Sequence, residues 1–270
     1  MVMMEILQYD FMQRAFAAGI MVALTCPLIG IFIVLKRLSM IGDTLSHASL
    51  AGIAAGMLWG FYPFWGALVF SVAAAFSIEK LRKSFARYEE LSNAIILSTG
   101  IGLAVVFIGL AKGYNSDLMG YLFGSIAAVS TQDVYVMLFL SAVIVLSVII
   151  LYDKLFYIAF DEEGAQISGI SVSFLNIYLT LLTAFTVVVS MRIVGIFMVS
   201  SLLVIPVASA MQIGKGFKNT LWFSVAFALV SVVMGLVLSY YLDIAPGGTI
   251  VLLSVLILLI SLAVNHFKRG

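Results

Sequence analysis

The sequence predicts an all-α, polytopic membrane protein with eight or nine transmembrane helices. Three observations lead to this fold class: 63% of the 270 residues are hydrophobic, only 10% are charged, and the mean hydropathy is +1.19. Soluble domains carry about 25% charged residues, so this chain lacks the polar surface that a water-soluble globule needs. Membrane lipid must therefore be the solvent for most of its surface.

The apolar stretches set the number of helices, because a bilayer core about 30 Å thick needs roughly 20 apolar residues per crossing. The expected spans are 11–35, 44–60, 61–79, 93–111, 134–152, 172–190, 193–213, 219–242 and 247–265. Eight spans are the alternative, because the second stretch is short and the pair around Met191 is tightly joined. The apolar piece Leu118–Val129 fits none of these spans and is expected to be a re-entrant or surface-lying element.

The basic residues predict the orientation, since loops on the inner side of a membrane are enriched in Lys and Arg. Nine spans with the amino terminus outside and the carboxyl terminus cytoplasmic put eleven basic residues inside and three outside. The inner set is Lys36, Arg37, Lys80, Arg82, Lys83, Arg87, Lys154, Lys215, Lys218, Lys268 and Arg269, and the outer set is Arg14, Lys112 and Arg192. The same orientation places five acidic residues on the outer side: Glu5, Asp10, Asp117, Asp133 and Asp243. They either form an acidic mouth that suits a cation or reflect the ordinary polarity of loops.

Composition and motifs exclude several functions. The net charge of +1 offers no basic stripe for nucleic acid, and the single Cys26 cannot form an internal disulfide. The start MVMMEILQYD lacks the basic residues of a signal peptide, so the first helix is expected to stay in the mature protein. The chain has no phosphate-binding loop, Ser/His/Asp set or H-E-x-x-H helix. We therefore expect residues 1–270 to form one non-catalytic membrane domain without a permanently bound cofactor.

The run LKRLSMIGDTLSHASLAG, residues 35–52, places Asp43 and His47 one helical turn apart. A carboxylate and an imidazole on one face can both bind a divalent transition metal such as zinc or manganese. The alternative is that Asp43 caps the helix while His47 is satisfied by a neighbour.

Other residues near this pair have weaker signals. Ala48, Gly52 and Gly56 form a small-residue ladder that predicts close helix packing inside the bundle. Cys26 is typical of packing rather than of a ligand, and Asp243 is a weak candidate for ion entry. Because two ligands hold a metal weakly, a two-fold dimer with two aspartates and two histidines would complete the site.

Several runs in order along the chain resemble the membrane permeases of bacterial ABC-type zinc and manganese uptake transporters. They are R-x-S-x-x-x-D-T-L-S-H-A-S-L-A-G from Arg37 to Gly52, YLFGSIAAVS from Tyr121 to Ser130, FDEEGAQISGIS from Phe160 to Ser171, GIFMVSSLLVIPVASA from Gly195 to Ala210, and APGGTIVLL from Ala245 to Leu253. The resemblance implies a homodimer that receives metal from an extracytoplasmic binding lipoprotein or periplasmic protein and is driven by a separate cytoplasmic ATPase. It also implies that Asp43 and His47 lie on the metal path.

The resemblance further implies that residues 160–171 form the cytoplasmic segment that couples to the ATPase; the alternative is a solvated connecting loop. The residues concerned are Asp161, Glu162, Glu163, Gly164 and Gly169. The motif D-T-L-S-H-x-S-L-A-G is similar to the corresponding motif of zinc-type members of this family. We therefore expect zinc import, with manganese or iron as the alternative. Two rivals remain: a stand-alone carrier driven by an ion gradient, and an intramembrane metallohydrolase.

Overall fold

The computed structural model describes residues 8–85, 88–111 and 116–269, without the side chains of Glu89, Ser116, Asp117, Lys268 and Arg269. Its helices are α1 Asp10–Leu35, α2 Ile41–Trp59, α3 Pro63–Ser84, α4 Glu89–Leu110, α5 Ser116–Phe123, α6 Thr131–Phe160, α7 Glu162–Ile167, α8 Val172–Ser190, α9 Val199–Ile213, α10 Phe217–Leu242 and α11 Pro246–Arg269. A 3-10 turn, Ile196–Met198, leads into α9. The charges counted at Glu5, Arg87, Lys112, Asp117, Lys268 and Arg269 lie outside the described residues.

The helices confirm the all-α membrane fold. Within the residues that the structure describes, eight segments are long and apolar enough to cross a membrane: α1, α3, α4, α6, α8, the 3-10 turn with α9, α10 and α11. The stretch expected at 44–60 forms α2, which is 19 residues long but too polar to pass the same test. Its length of about 28 Å, at 1.5 Å per residue, still matches the bilayer core.

Burial explains how α2 can be polar. Fourteen of its nineteen residues are buried, and its contacts with α3 and α4 are the most extensive between any two helices of the described chain. A helix surrounded by protein needs no apolar coat, because it does not face lipid. We therefore count α2 as a ninth long helix at the centre of the bundle.

Glycine contacts confirm the predicted ladder on α2. A Cβ on Gly52 would lie 2.1 Å from the carbonyl oxygen of Gly66 on α3, and one on Gly56 would lie 2.8 Å from the Cα of Pro63. On α4, a Cβ on Gly100 would lie 2.9 Å from the backbone nitrogen of Ala48. Each step of the ladder thus faces the backbone of a neighbouring helix.

The two ends of the bundle are named here by their short helices. The α5 side holds the starts of α1 and α6, where Arg14 donates a hydrogen bond to Thr131. The α7 side holds the ends of α1 and α6, where Lys36 contacts Glu162. The described chain starts on the α5 side and ends on the α7 side. The segment expected to be re-entrant or surface-lying is the eight-residue α5 followed by an irregular stretch to Ser130, and it is not a span.

Candidate metal site

Asp43 and His47 lie in the first two turns of α2, on the surface of the helix that remains open. From Ile41 to Ala48 these two are only partly buried, and every other residue is buried. The Asp43 carboxylate is near enough to interact electrostatically with the imidazole. The two side chains therefore reach the same partly open surface, as a shared ligand site requires.

The capping alternative for Asp43 is wrong. The N-cap residue of α2 is Met40, and no side chain caps this helix. The Nδ1 of His47 is buried and has no hydrogen-bond partner among the described residues, so no described neighbour satisfies this atom. Leaving such an atom without a partner costs about 1–3 kcal/mol, so an incoming ion or water would stabilise the site.

The first turn of α2 packs against α9. A Cβ on Gly30 of α1 would lie 2.0 Å from the carbonyl oxygen of Leu203, and one on Gly42 would lie 3.0 Å from Cδ1 of the same leucine. The Asp43 turn is therefore next to a helix that also packs closely on α1.

Two aromatic rings lie beyond His47 towards the α5 side. The centroid of the Phe197 ring, from the 3-10 turn, is 6.2 Å from that of the His47 imidazole. Phe123, at the end of α5, packs on Phe197 edge to face with centroids 5.7 Å apart. An apolar pair thus separates the Asp43–His47 surface from the α5 side.

Three glycines hold these rings in place by close backbone contact. A Cβ on Gly124 would lie 2.1 Å from the carbonyl oxygen of Ile193, and one on Gly247 would lie 1.8 Å from that of Val194. Gly195, at φ +84°, would place a Cβ 2.5 Å from backbone atoms of residues 122–124. These glycines come from three separate runs of the sequence, so the fold joins those runs at one junction above the site.

A buried ion pair stabilises the same junction. Asp133 is fully buried in the first turn of α6, where it forms a capping box with Ser130. Its Oδ2 lies 3.4 Å from Nε of Arg192, and it also accepts a hydrogen bond from the Tyr62 hydroxyl. The Arg192 guanidinium carbon lies 4.1 Å from the ring centroid of Tyr121 on α5. Asp133 therefore belongs to a buried ion pair. The acidic mouth, one of the two interpretations of its position in the sequence, does not include it.

The remaining candidates lie apart from the pair. Cys26 is buried in α1 with its Sγ 3.0 Å from Ser190 Oγ, which fits its packing role. Asp243 ends α10 in a left-handed conformation and lines a cavity of about 440 Å³ on the α5 side. Within the described part of the chain, no three His, Cys, Asp or Glu side chains come together as a metal site. The Asp43–His47 pair thus has no third side chain of these types beside it among the described residues.

The expected coupling residues gather around α7. The Asp161 side chain caps this helix by accepting a hydrogen bond from the Gly164 backbone nitrogen at 2.8 Å. Glu163 is exposed, and Gly169 turns the chain away from the helix at φ +83°. Ile167 is 88% exposed at the tip. The capped helix thus presents an exposed tip with one large apolar side chain.

The Glu162 carboxylate instead contacts residues of α1 and α8. Its Oε2 lies 3.0 Å from Nζ of Lys36, and its Oε1 accepts a hydrogen bond from Asn176 at 2.7 Å. Partial burial raises the pKa of Glu162, but the hydrogen bonds from Lys36 and Asn176 and the positive charges of Lys36 and Arg82 outweigh it, so the pKa lies below its ordinary value. Glu162 is therefore ionised at neutral pH and attaches α7 to α1 and α8.

A buried polar helix that carries an Asp–His pair, packed among eight apolar spans, defines this molecule as a polytopic membrane protein. The chain belongs to the ABC 3 transport family, whose model matches residues 8–265. It is therefore a metal ABC permease, the membrane transport subunit of such a system.

The relatives agree with this assignment. A Treponema pallidum protein named "Probable metal transport system membrane protein" is 40% identical over 265 residues, which cover 98% of this chain and 99% of the relative. The manganese transport system membrane protein of Listeria monocytogenes is 32% identical, with coverages of 95% and 91%. The high-affinity zinc uptake system membrane protein of Haemophilus influenzae is 30% identical, with coverages of 97% and 98%.

A solved structure has the same fold. A chain of PsaBC from Streptococcus pneumoniae, solved in complex with a Fab, superposes with a TM-score of 0.86 at 31% identity. The match covers 96% of this chain and 94% of that chain.

Proposed function

We propose that this permease carries zinc into the cell, with Asp43 and His47 as the ligands that hold the ion during passage. The observation that carries the proposal is their shared open surface on an otherwise buried helix, with the Nδ1 atom of His47 left without a partner. A buried helix retains a carboxylate and an imidazole at a cost, and a transported cation offsets that cost.

A second copy of the chain completes the ligand set. One chain supplies two ligands, and two chains around a two-fold axis supply two carboxylates and two imidazoles. Four such ligands suit tetrahedral zinc, whereas manganese is usually bound by more oxygen atoms in octahedral geometry. Manganese is the second candidate, because relatives named for manganese and for zinc transport are similarly close to this chain.

The charges support an orientation with the α7 side in the cytoplasm. Eight described basic residues belong to that side and two to the other. They are Lys36, Arg37, Lys80, Arg82, Lys83, Lys154, Lys215 and Lys218, against Arg14 and Arg192. The capped helix α7, with Asp161, Glu163, Gly164 and Gly169 around its exposed tip, would then face a cytoplasmic ATPase. The α5 side would receive the ion from an extracytoplasmic binding protein.

The test is zinc uptake in cells that carry Asp43→Asn or His47→Gln at matched membrane levels. Both variants should lose at least tenfold in uptake. Ser49→Ala is the matched control, because Ser49 is buried on the same helix and its hydroxyl donates only to the Leu45 carbonyl. Normal uptake by both site variants would contradict the site.

Two further measurements separate the alternatives. Competition between zinc, manganese and iron in the reconstituted transporter identifies the cargo, and preferred uptake of manganese would replace zinc while keeping the site. Purification of the permease should recover an ATPase subunit. Transport by the permease alone, driven by an ion gradient, would instead identify a stand-alone carrier.

A further inference from the structure

The ion pair between Lys36 and Glu162 joins the short helix α7 to the end of α1. The Lys36 side chain is only 4% exposed, and its Nζ donates both to Glu162 Oε2 at 3.0 Å and to the carbonyl oxygen of Ile158 at 3.5 Å. Asn176 of α8 donates to the other carboxylate oxygen at 2.7 Å. Four helices, α1, α6, α7 and α8, thus meet at one carboxylate and one ammonium group.

The connection from this point to the metal ligands is short and firmly held. Asp43 follows Lys36 by seven residues. Arg37 adopts a left-handed φ of +59°, which a non-glycine residue keeps only where its surroundings fix it. The Leu38 backbone nitrogen donates to the Ile33 carbonyl, and the Ile41 nitrogen donates to the Leu38 carbonyl, both at 2.9 Å. A displacement at Lys36 therefore moves the first turn of α2 rather than being absorbed by a loose loop.

We propose that the Lys36–Glu162 pair transmits movement of α7 to the Asp43 turn, which makes Lys36 a positioning residue for transport. The inference rests on the proposed function, in which α7 contacts the ATPase. When the ATPase moves α7, Glu162 draws Lys36 and the α1–α2 connection with it. The geometry around Asp43 then changes, and the ion is released towards the α7 side.

A role in stability alone does not account for this arrangement. The Glu162 side chain is 48% exposed, and half-exposed ion pairs contribute little to folding. The Lys36 ammonium is nevertheless kept buried, which is costly without a partner. Lys36→Met is therefore the cleanest variant, because it removes the pair and leaves no unpaired buried charge.

The experiment compares metal transported per ATP hydrolysed in proteoliposomes that contain the whole transporter with its ATPase and binding protein. The variants are Lys36→Met, Glu162→Gln and the double variant Lys36→Met with Glu162→Gln. Lys154→Met is the control, as an exposed lysine of the same side. Both single variants should retain the ATPase and hydrolyse ATP within twofold of the parent, yet transport at least tenfold less zinc per ATP. The double variant should lose no more than the single variants, because each of these already breaks the pair.

Three results would overturn the inference. They are unchanged transport per ATP in both single variants, loss of the ATPase subunit from them, and a loss in the double variant that equals the product of the two single losses. None of these would touch the proposed function, which is tested separately by Asp43→Asn in the same proteoliposomes. That variant should abolish transport while the Lys36–Glu162 pair is intact.

Discussion

Gly52 of α2 and Gly66 of α3 pack backbone against backbone, because a Cβ on either would lie 2.1 Å from the carbonyl oxygen of the other. Gly52→Ala should therefore force the central helix away from α3 and destabilise the protein by about 1–3 kcal/mol, the usual cost of overpacking. Thermal unfolding in detergent measures the change. Gly102→Ala on α4 is the control, since its Cβ would meet nothing within 4 Å. Equal melting temperatures for the two variants would contradict this packing.

The buried pair of Asp133 and Arg192 gives a second prediction. Arg192→Met leaves a fully buried carboxylate without its cation, and breaking such a pair costs about 3–5 kcal/mol. The melting temperature should fall strongly. Adding Asp133→Asn removes the unpaired charge, so the double variant should be more stable than Arg192→Met alone. A double variant whose loss equals the sum of the single losses would show that the two groups do not interact.

The pH dependence of α7 follows from Glu162. Its pKa in the folded protein lies below the ordinary value of 4.5, so the carboxylate contributes stability that is fully present above pH 4.5. That contribution is lost as the pH falls through the lower folded value. The protection factors of the α7 amides, which correct for the pH dependence of intrinsic amide exchange, should stay constant from pH 8 to 5 and fall only in stronger acid.

Glu162→Gln is the variant that checks this assignment. It removes the titrating group, so the protection factors of the α7 amides should be lower already at pH 7, and the further loss of protection in acid should disappear. A loss of protection near pH 6 in the parent protein would point to another group.

The sequence predicted most of the helices because hydropathy marks the apolar slab that each one crosses. It placed their ends less well. The span expected at 134–152 is the helix Thr131–Phe160, since Asp153 and Lys154 continue the helix where it leaves the apolar region. The placement of Asp43 and His47 one turn apart on a helix, and the small-residue ladder, were also confirmed, because helical spacing is a local property.

The junction on the α5 side of the candidate metal site could not be predicted, because the residues that form it are far apart in the chain. Arg192 and Asp133 are separated by 58 residues. Arg192 was counted among the outer basic residues, and Asp133 among acids that formed either an acidic mouth or ordinary loop polarity. Three glycines of this junction were noted only because they belong to separate runs that resemble the permease family: Gly124, Gly195 and Gly247. Their close contacts depend on how three segments fold against one another, and no spacing within one segment encodes that.

The two glycines at α7 should behave differently when substituted. A Cβ on Gly164 would lie 2.2 Å from Oδ2 of Asp161, so Gly164→Ala should displace the capping carboxylate and cost about 1 kcal/mol locally. Gly169 has open space around it but a φ of +83°, which Asn tolerates and Val does not. We expect Gly164→Ala and Gly169→Val to weaken retention of the ATPase subunit during purification, and Gly169→Asn to preserve it. Asp161→Ala should match Gly164→Ala, because both remove the same cap. Full retention in all four variants would mean that the ATPase contacts another part of the permease.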